Sequence, residues 1–370
     1  MLQLLTALCR YLGKLPVAVV QGWDRFFFSP ADPLLLGLIR IMVGSILLYI
    51  HVSSSAFVLD FIGPEGWIDE EVYAELHDVV KHPKYQLQTT KQTQAEKDLI
   101  DLKHKGMVPY GFSIWFWIRD PLWIKITYYA GIVCIALFTL GVFTRFTAVI
   151  SWAFHLSYLH RSMMIWFGMD AMLSFMMLYL SIGPSGAALS VDRWLRCRRT
   201  GNWNAPEPGW LANVALRLMQ IHISIVYFIA GIAKLQGATW WDGTATWLTM
   251  NAPLFNESLD IGWLVSPDRG EWFWYYFTFA STYFTLAFEL SFPFLIWNRY
   301  LRPWMIFAAI MLHVGIGLFM GLGGFGMVML SGCFSFIPQD GLRWAYNILT
   351  RKPLEPRGTV RNLPYEFPKQ

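Results

Sequence analysis

Eight apolar stretches, separated by charged and aromatic connections, constrain this chain more than any motif in it. They run near residues 34–51, 123–141, 146–160, 163–182, 212–233, 274–296, 304–320 and 323–338. About 20 mostly apolar residues are what an α-helix needs to cross a bilayer. In lipid the backbone must satisfy its own hydrogen bonds, which leaves helices or a closed barrel, and continuous apolar runs without alternation select helices. Only 15% of the residues are charged and 55% are hydrophobic, against roughly 25% charged in a typical soluble chain. Aromatic side chains reach 17%, with 19 Trp, as suits belts at the two membrane interfaces. The expected fold is an all-α, polytopic transmembrane helical bundle of about eight spans with outer-face loops, embedded in a lipid bilayer.

Residues 1–24 are broken by Arg10 and Lys14, too polar for the core of a cleaved leader, and read as an N-terminal interfacial helix. With the N-terminus inside, the inner segments collect Arg10, Lys14, Arg25, Arg145, Arg193, Arg196, Arg198, Arg199, Arg299, Arg302 and a basic tail from Arg343 to Lys369. The short outer connections keep Arg161 and Arg269, with Lys234 at a span end. Positive charge stays on the cytoplasmic side, so both termini are expected there, with a membrane domain over 25–340 and a cytoplasmic tail over 341–370. The outer loops 52–122 and 235–273 are positioned to cap a site opening to the outer face. No basic stripe with interleaved aromatics appears, so nucleic acid is not an expected partner.

The cysteines Cys9, Cys134, Cys197 and Cys333 are scattered without a CxxC, and no metal site is expected. GLGGFG at 321–326 matches G-x-G-x-x-G. It separates two apolar stretches, where a tight reversal with close helix packing is expected instead of a nucleotide fingerprint. Asn256-Glu257-Ser258 forms a glycosylation sequon in the second outer loop.

Ionisable residues within or beside the spans are Arg40, His155, His160, Arg161, Asp170, Arg217, His222, Lys234, Glu289 and His313. Each is costly in lipid, and such groups face the bundle interior and pair with one another. The bland role for Arg40, Asp170, Arg217 and Glu289 is structural pairing; the sharper one is a polar cavity. Lys234 has a bland role too, a snorkelling helix end. Three features set it apart. Ala230 and Gly231 allow close packing about one turn earlier. Gln220 and Tyr227 continue its helical face. A glycine turn into Trp240 and Trp241 is placed to roof the amine. Burial disfavours the charged form of an amine, which is what a base working near neutral pH requires.

The stretches RFFFSPADPLLLGLIRIMVGSILLYIHV, FIGPEGWID, LGVFTR, SVDRWL, QIHISIVYFIAGIAKLQGATWWDG, FELSFPFLIW and HVGIGLFMGLGGFGMVML occur in that order. Together they resemble the bacterial HTTM-domain proteins, membrane relatives of the vitamin K-dependent γ-glutamyl carboxylase. The resemblance implies an integral protein of the bacterial inner membrane. In the carboxylase, a lysine in the segment similar to YFIAGIAKL deprotonates a vitamin K hydroquinone. Oxygen addition then yields a strong base that removes a glutamate γ-proton, CO2 adds, and the quinone leaves as an epoxide. Carried over, that base is Lys234, with His160 as a second catalytic candidate. Tyr227, Trp240, Trp241, His222, His313 and Glu289 are then candidates for holding the cofactor, a reduced vitamin K or menaquinol-type hydroquinone used with O2 and CO2. The alternative is a non-catalytic binding or maturation factor for an exported peptide, protein or lipid.

Overall fold

A computed structural model describes residues 2–64, 66–67, 113–162, 167–250, 252 and 271–350. Most of the outer loop 52–122, the Asn256 sequon, Arg269, the opening of the fourth apolar stretch and the tail beyond Thr350 lie outside the described residues. The described residues are mostly helical, and a lone antiparallel bridge between Ala31 and Gly209 takes the place of any strand among them. The helices are α1 Leu2–Phe28, α2 Leu34–Ser54, α3 Val58–Ile62, α4 Pro121–Leu140, α5 Thr144–Arg161, α6 Gly168–Ile182 and α7 Val191–Thr200. They continue as α8 Trp210–Lys234, α9 Ala238–Trp241, α10 Ala245–Met250, α11 Glu271–Leu295, α12 Arg302–Met320, α13 Gly323–Cys333 and α14 Gln339–Leu349.

Each apolar stretch of the sequence coincides with a helix, and the fold is all-α as expected. Among the described residues, four helical segments are long and apolar enough to cross a membrane: Leu34–Ile62, α4, α8 and α12. α6 and Gly323–Phe336 are apolar but shorter. The count of eight crossings therefore remains an expectation, whereas the membrane character does not depend on it.

The chain divides into two compact units, residues 43–178 and residues 1–42 with 179–370. In the first, α4 and α5 form a hairpin. Its start is set by Asp120, whose carboxylate accepts from the Leu122 and Trp123 amides, with Pro121 in the first turn, the side-chain cap and proline placement that open helices. Its reversal runs through Gly141 at φ 74° and Phe143 at φ 47°. The hairpin buries Ile124, Ile135, Phe138 and Phe154.

The second unit is built around α8, which packs against α11, α1 and α13. The last carbonyls of α1, which have no partner within their own helix, are taken by α8. Asn213 Nδ2 donates to Phe26 O at 2.8 Å and Phe27 O at 3.0 Å, and Arg217 Nε donates to Phe26 O at 3.1 Å. That hold carries α1 through Phe28, past the 1–24 expected from sequence. Arg40, wholly buried on α2, donates to the carbonyls of Ser185, Ala188 and Leu189, which fastens the chain between α6 and α7 against α2. Asp32 caps α2 through the Leu34 amide at 2.9 Å and is clasped by both ends of the Arg343 guanidinium from α14. α1, α7 and α14 therefore gather at the end of this unit where α2 and α8 begin.

Candidate functional site

Lys234 is the last residue of α8, and its Nζ lies 2.8 Å from both carboxylate oxygens of Glu289 on α11. The hydrogen bond goes to Oε1, while Oε2 takes part through charge alone. The pair exists because α8 and α11 approach closely just before it. A Cβ built on Gly231 would stand 2.9 Å from Leu290 Cδ2 and 3.3 Å from Glu289 Cβ, so glycine permits the separation at which a lysine three residues on reaches the carboxylate. The two side chains are 25% and 9% exposed: the acid is the deeper partner, and the amine opens to the surface.

Beyond Lys234 the chain turns through Gly237, whose carbonyl accepts from the Trp240 amide at 3.1 Å. This brings the Trp240 ring over the amine, with Nζ 5.3 Å from its centroid, inside the range of a cation–π contact. Trp241 does different work. Its indole N–H donates to Leu235 O at 2.8 Å, and its own carbonyl accepts from the Tyr283 hydroxyl at 2.6 Å. It fastens the turn, while Trp240 covers the amine.

The remaining candidates separate into other groups. Tyr227, seven residues before Lys234 and thus about 10 Å along the helix, lies against His313, its hydroxyl 2.6 Å from Nε2 and 3.5 Å from Cys333 Sγ. All three are buried, with Phe288 and Phe292 against the tyrosine ring. Among the described residues, His313 Nδ1 is buried without a hydrogen-bond partner. The GLGGFG segment serves this group. Gly321 ends α12 at φ 68°, and a Cβ on Gly326 would stand 2.8 Å from the His313 carbonyl, so it is a close helix reversal. His222 lies on α8 with Nδ1 2.9 Å from the Tyr179 hydroxyl. His160, half-buried, is the penultimate residue of α5 in the other unit.

That other unit holds a constellation the sequence only half revealed. His155 stood among the in-span ionisable residues; His51 did not, because it closes an otherwise apolar span. His51 Nε2 lies 3.2 Å from His155 Nδ1, His155 Nε2 lies 3.4 Å from the Asp170 carbonyl, and the Tyr128 hydroxyl lies 3.3 Å from His51 Nδ1. A carbonyl only accepts, so neutral His155 donates from Nε2 and accepts at Nδ1. His51 then donates from Nε2, leaving its Nδ1 to accept from Tyr128. The Tyr128 hydroxyl oxygen is also 2.9 Å from the His51 carbonyl oxygen, so its one proton is shared between that closer acceptor and Nδ1. Both imidazoles are fully buried, and the relay ties α2, α4, α5 and α6 together. A small open cleft in this unit, of about 20 Å³ and so with room for little more than a water, is walled by Ile62, Trp115, Phe116, Arg119 and Arg161 among others; Lys234 is not part of its wall.

A helical bundle with membrane-length apolar helices and ionisable side chains paired inside it defines an integral membrane protein. The HTTM domain is found over residues 88–341, and the chain belongs to the HTTM-domain family, that of the transmembrane region of the vitamin K-dependent carboxylase. No curated protein and no solved structure matches it.

Proposed function

We propose that this chain is a hydroquinone-oxidising, carboxylase-like membrane enzyme whose base is the Lys234–Glu289 pair. The observation that carries the reading is the amine held 2.8 Å from both carboxylate oxygens under the Trp240 ring. A lone surface lysine at pH 7 is protonated and cannot accept a proton. An amine hydrogen-bonded to a carboxylate has somewhere to send one. Transfer from Nζ to Glu289 frees the amine lone pair, which then accepts a hydroxyl proton. The pair ends as ammonium beside carboxylic acid, with one net positive charge facing the anion it has produced.

A bound hydroquinone supplies the acidic hydroxyl and the reducing electrons, with O2 and CO2 as co-reactants. The residues fit such a ring. Trp240 offers an aromatic face beside the base, and Ile229 and Ile232, both exposed on the last turns of α8, give an apolar approach from lipid. Tyr227 and His313 act from deeper in the bundle as a support for the α8–α12–α13 packing. We place both termini in the bacterial cytoplasm and Lys234 toward the outer face, a reading supported by the arginines gathered where α2 and α8 begin.

The test follows oxidation of a reduced naphthoquinone, and formation of its epoxide, by the purified protein in lipid. Wild type should turn over. Lys234→Ala and Glu289→Gln should each lose a factor of about 10²–10⁴, the usual contribution of a general base. Equal turnover by wild type and Lys234→Ala would remove the base. A wild type without turnover, in which the outer loops instead bind an exported peptide, would establish the non-catalytic maturation reading.

A further inference from the structure

Helix α7 is short and basic, and the function proposed above makes no use of it. It joins α6, which ends at Ile182, to α8, which begins at Trp210, so it runs beside one leaflet wherever those two helices meet the membrane surface. Its position is fixed rather than free. Ser190 caps it by accepting from the Arg193 amide at 2.9 Å. Arg40 holds the carbonyls just before it, and Arg193 donates to Asn204 O on the return.

The helix carries Arg193, Arg196, Arg198 and Arg199 against Asp192 alone, a net of three positive charges in ten residues. Cys197 is its buried residue. At 100° per residue, Leu195 and Arg199 lie two positions either side of Cys197 and thus on the opposite face. Trp194 and Arg198 occupy one flank, and their side chains meet, the guanidinium 4.6 Å from the indole centroid. Arg196 occupies the other flank. Trp194, Leu195, Arg196, Arg198 and Arg199 are all exposed.

We infer that this face of α7 docks on anionic phospholipid. An exposed face that mixes an indole and a leucine with three guanidinium groups is mismatched to bulk water and to hydrocarbon alike. It matches the headgroup layer, where tryptophan sits at the boundary and arginine finds phosphate in a geometry it bonds bidentately. Basic clusters immediately beside a span are drawn to anionic leaflets by the same charge complementarity. Helices α1 and α14, at the same end of the unit, also expose large apolar side chains: Trp23, Trp344 and Ile348.

The experiment uses the full chain, purified in neutral detergent and titrated with fluorescent phosphatidylglycerol or fluorescent phosphatidylcholine. Wild type should prefer phosphatidylglycerol, and the preference should fall as salt is raised. Removing each arginine should weaken that binding about five-fold, so the triple variant R196Q/R198Q/R199Q should lose on the order of a hundred-fold. The triple lysine variant keeps the charge and separates lost attraction from lost folding: it should retain the preference. Equal binding of the two lipids by wild type would overturn the inference. So would a triple glutamine variant that melts like wild type and still selects phosphatidylglycerol.

Discussion

The Lys234–Glu289 pair makes an asymmetric prediction that a double-mutant cycle reads directly. Removing one member of a fully buried ion pair costs about 3–5 kcal/mol, because the other charge is stranded. An exposed pair is worth about 0–1 kcal/mol. This pair lies between those limits, with side chains 25% and 9% exposed, which places a single truncation at about 1–3 kcal/mol. The two truncations should not be equal. Lys234→Met strands a carboxylate beneath the helix contact, whereas Glu289→Gln leaves an oxygen that still accepts from Nζ, and the ammonium keeps the Trp240 ring 5.3 Å away and a partial outlet to water. Lys234→Met should therefore be the more destabilising, and the double variant should recover part of that loss. The assay is reversible unfolding in lipid or mixed micelles for wild type, both singles and the double. Additive effects, or Glu289→Gln costing as much as Lys234→Met, would refute the reasoning.

Trp240→Ala should remove a cation–π contact of about 0.5–2 kcal/mol and uncover the amine, so Lys234 should react faster with an amine-modifying reagent, measured by peptide mass mapping. Tyr227→Phe should leave His313 Nε2 without its 2.6 Å partner and destabilise the protein by about 1–3 kcal/mol, with quinol turnover per folded molecule unchanged. Gly326→Ala should force a methyl group onto the His313 carbonyl, 2.8 Å from an ideal Cβ, and cost about 1–3 kcal/mol by overpacking, visible as a lowered unfolding midpoint. Tyr128→Phe should remove the hydroxyl that the His51 carbonyl and Nδ1 share at a similar cost of about 1–3 kcal/mol, and amide exchange should rise first within residues 43–178.

Much of this protein is settled locally, and that part is legible residue by residue. Long apolar runs become helices because lipid leaves the backbone no other partner, and each run in the sequence has its helix. Asp120-Pro121, Gly141 and Gly321 mark starts and stops through caps and a left-handed turn, which depend only on immediate neighbours. The stripe Gln220, Tyr227, Gly231 and Lys234 follows from helical periodicity, and the two tryptophans after the glycine turn follow from their spacing.

Partnership is decided elsewhere, because it depends on how helices rotate and how closely they approach. Nothing near Lys234 in the chain announces Glu289, 55 residues away; the contact depends on Gly231 letting α11 close in. Tyr227 shares a stripe with Lys234 yet pairs with His313, since the burial that satisfies a phenol lies toward α12 and α13. Of two adjacent tryptophans, one covers the amine and the other closes the turn, a choice made by the backbone after Gly237. His51 looks like the unremarkable end of an apolar span until α5 brings His155 within 3.2 Å. The sequence alone determined which segments leave water and where charge stays near their ends. Tertiary packing decided which of those charges meet, because a side chain's energy in a low-dielectric interior is set by its partner.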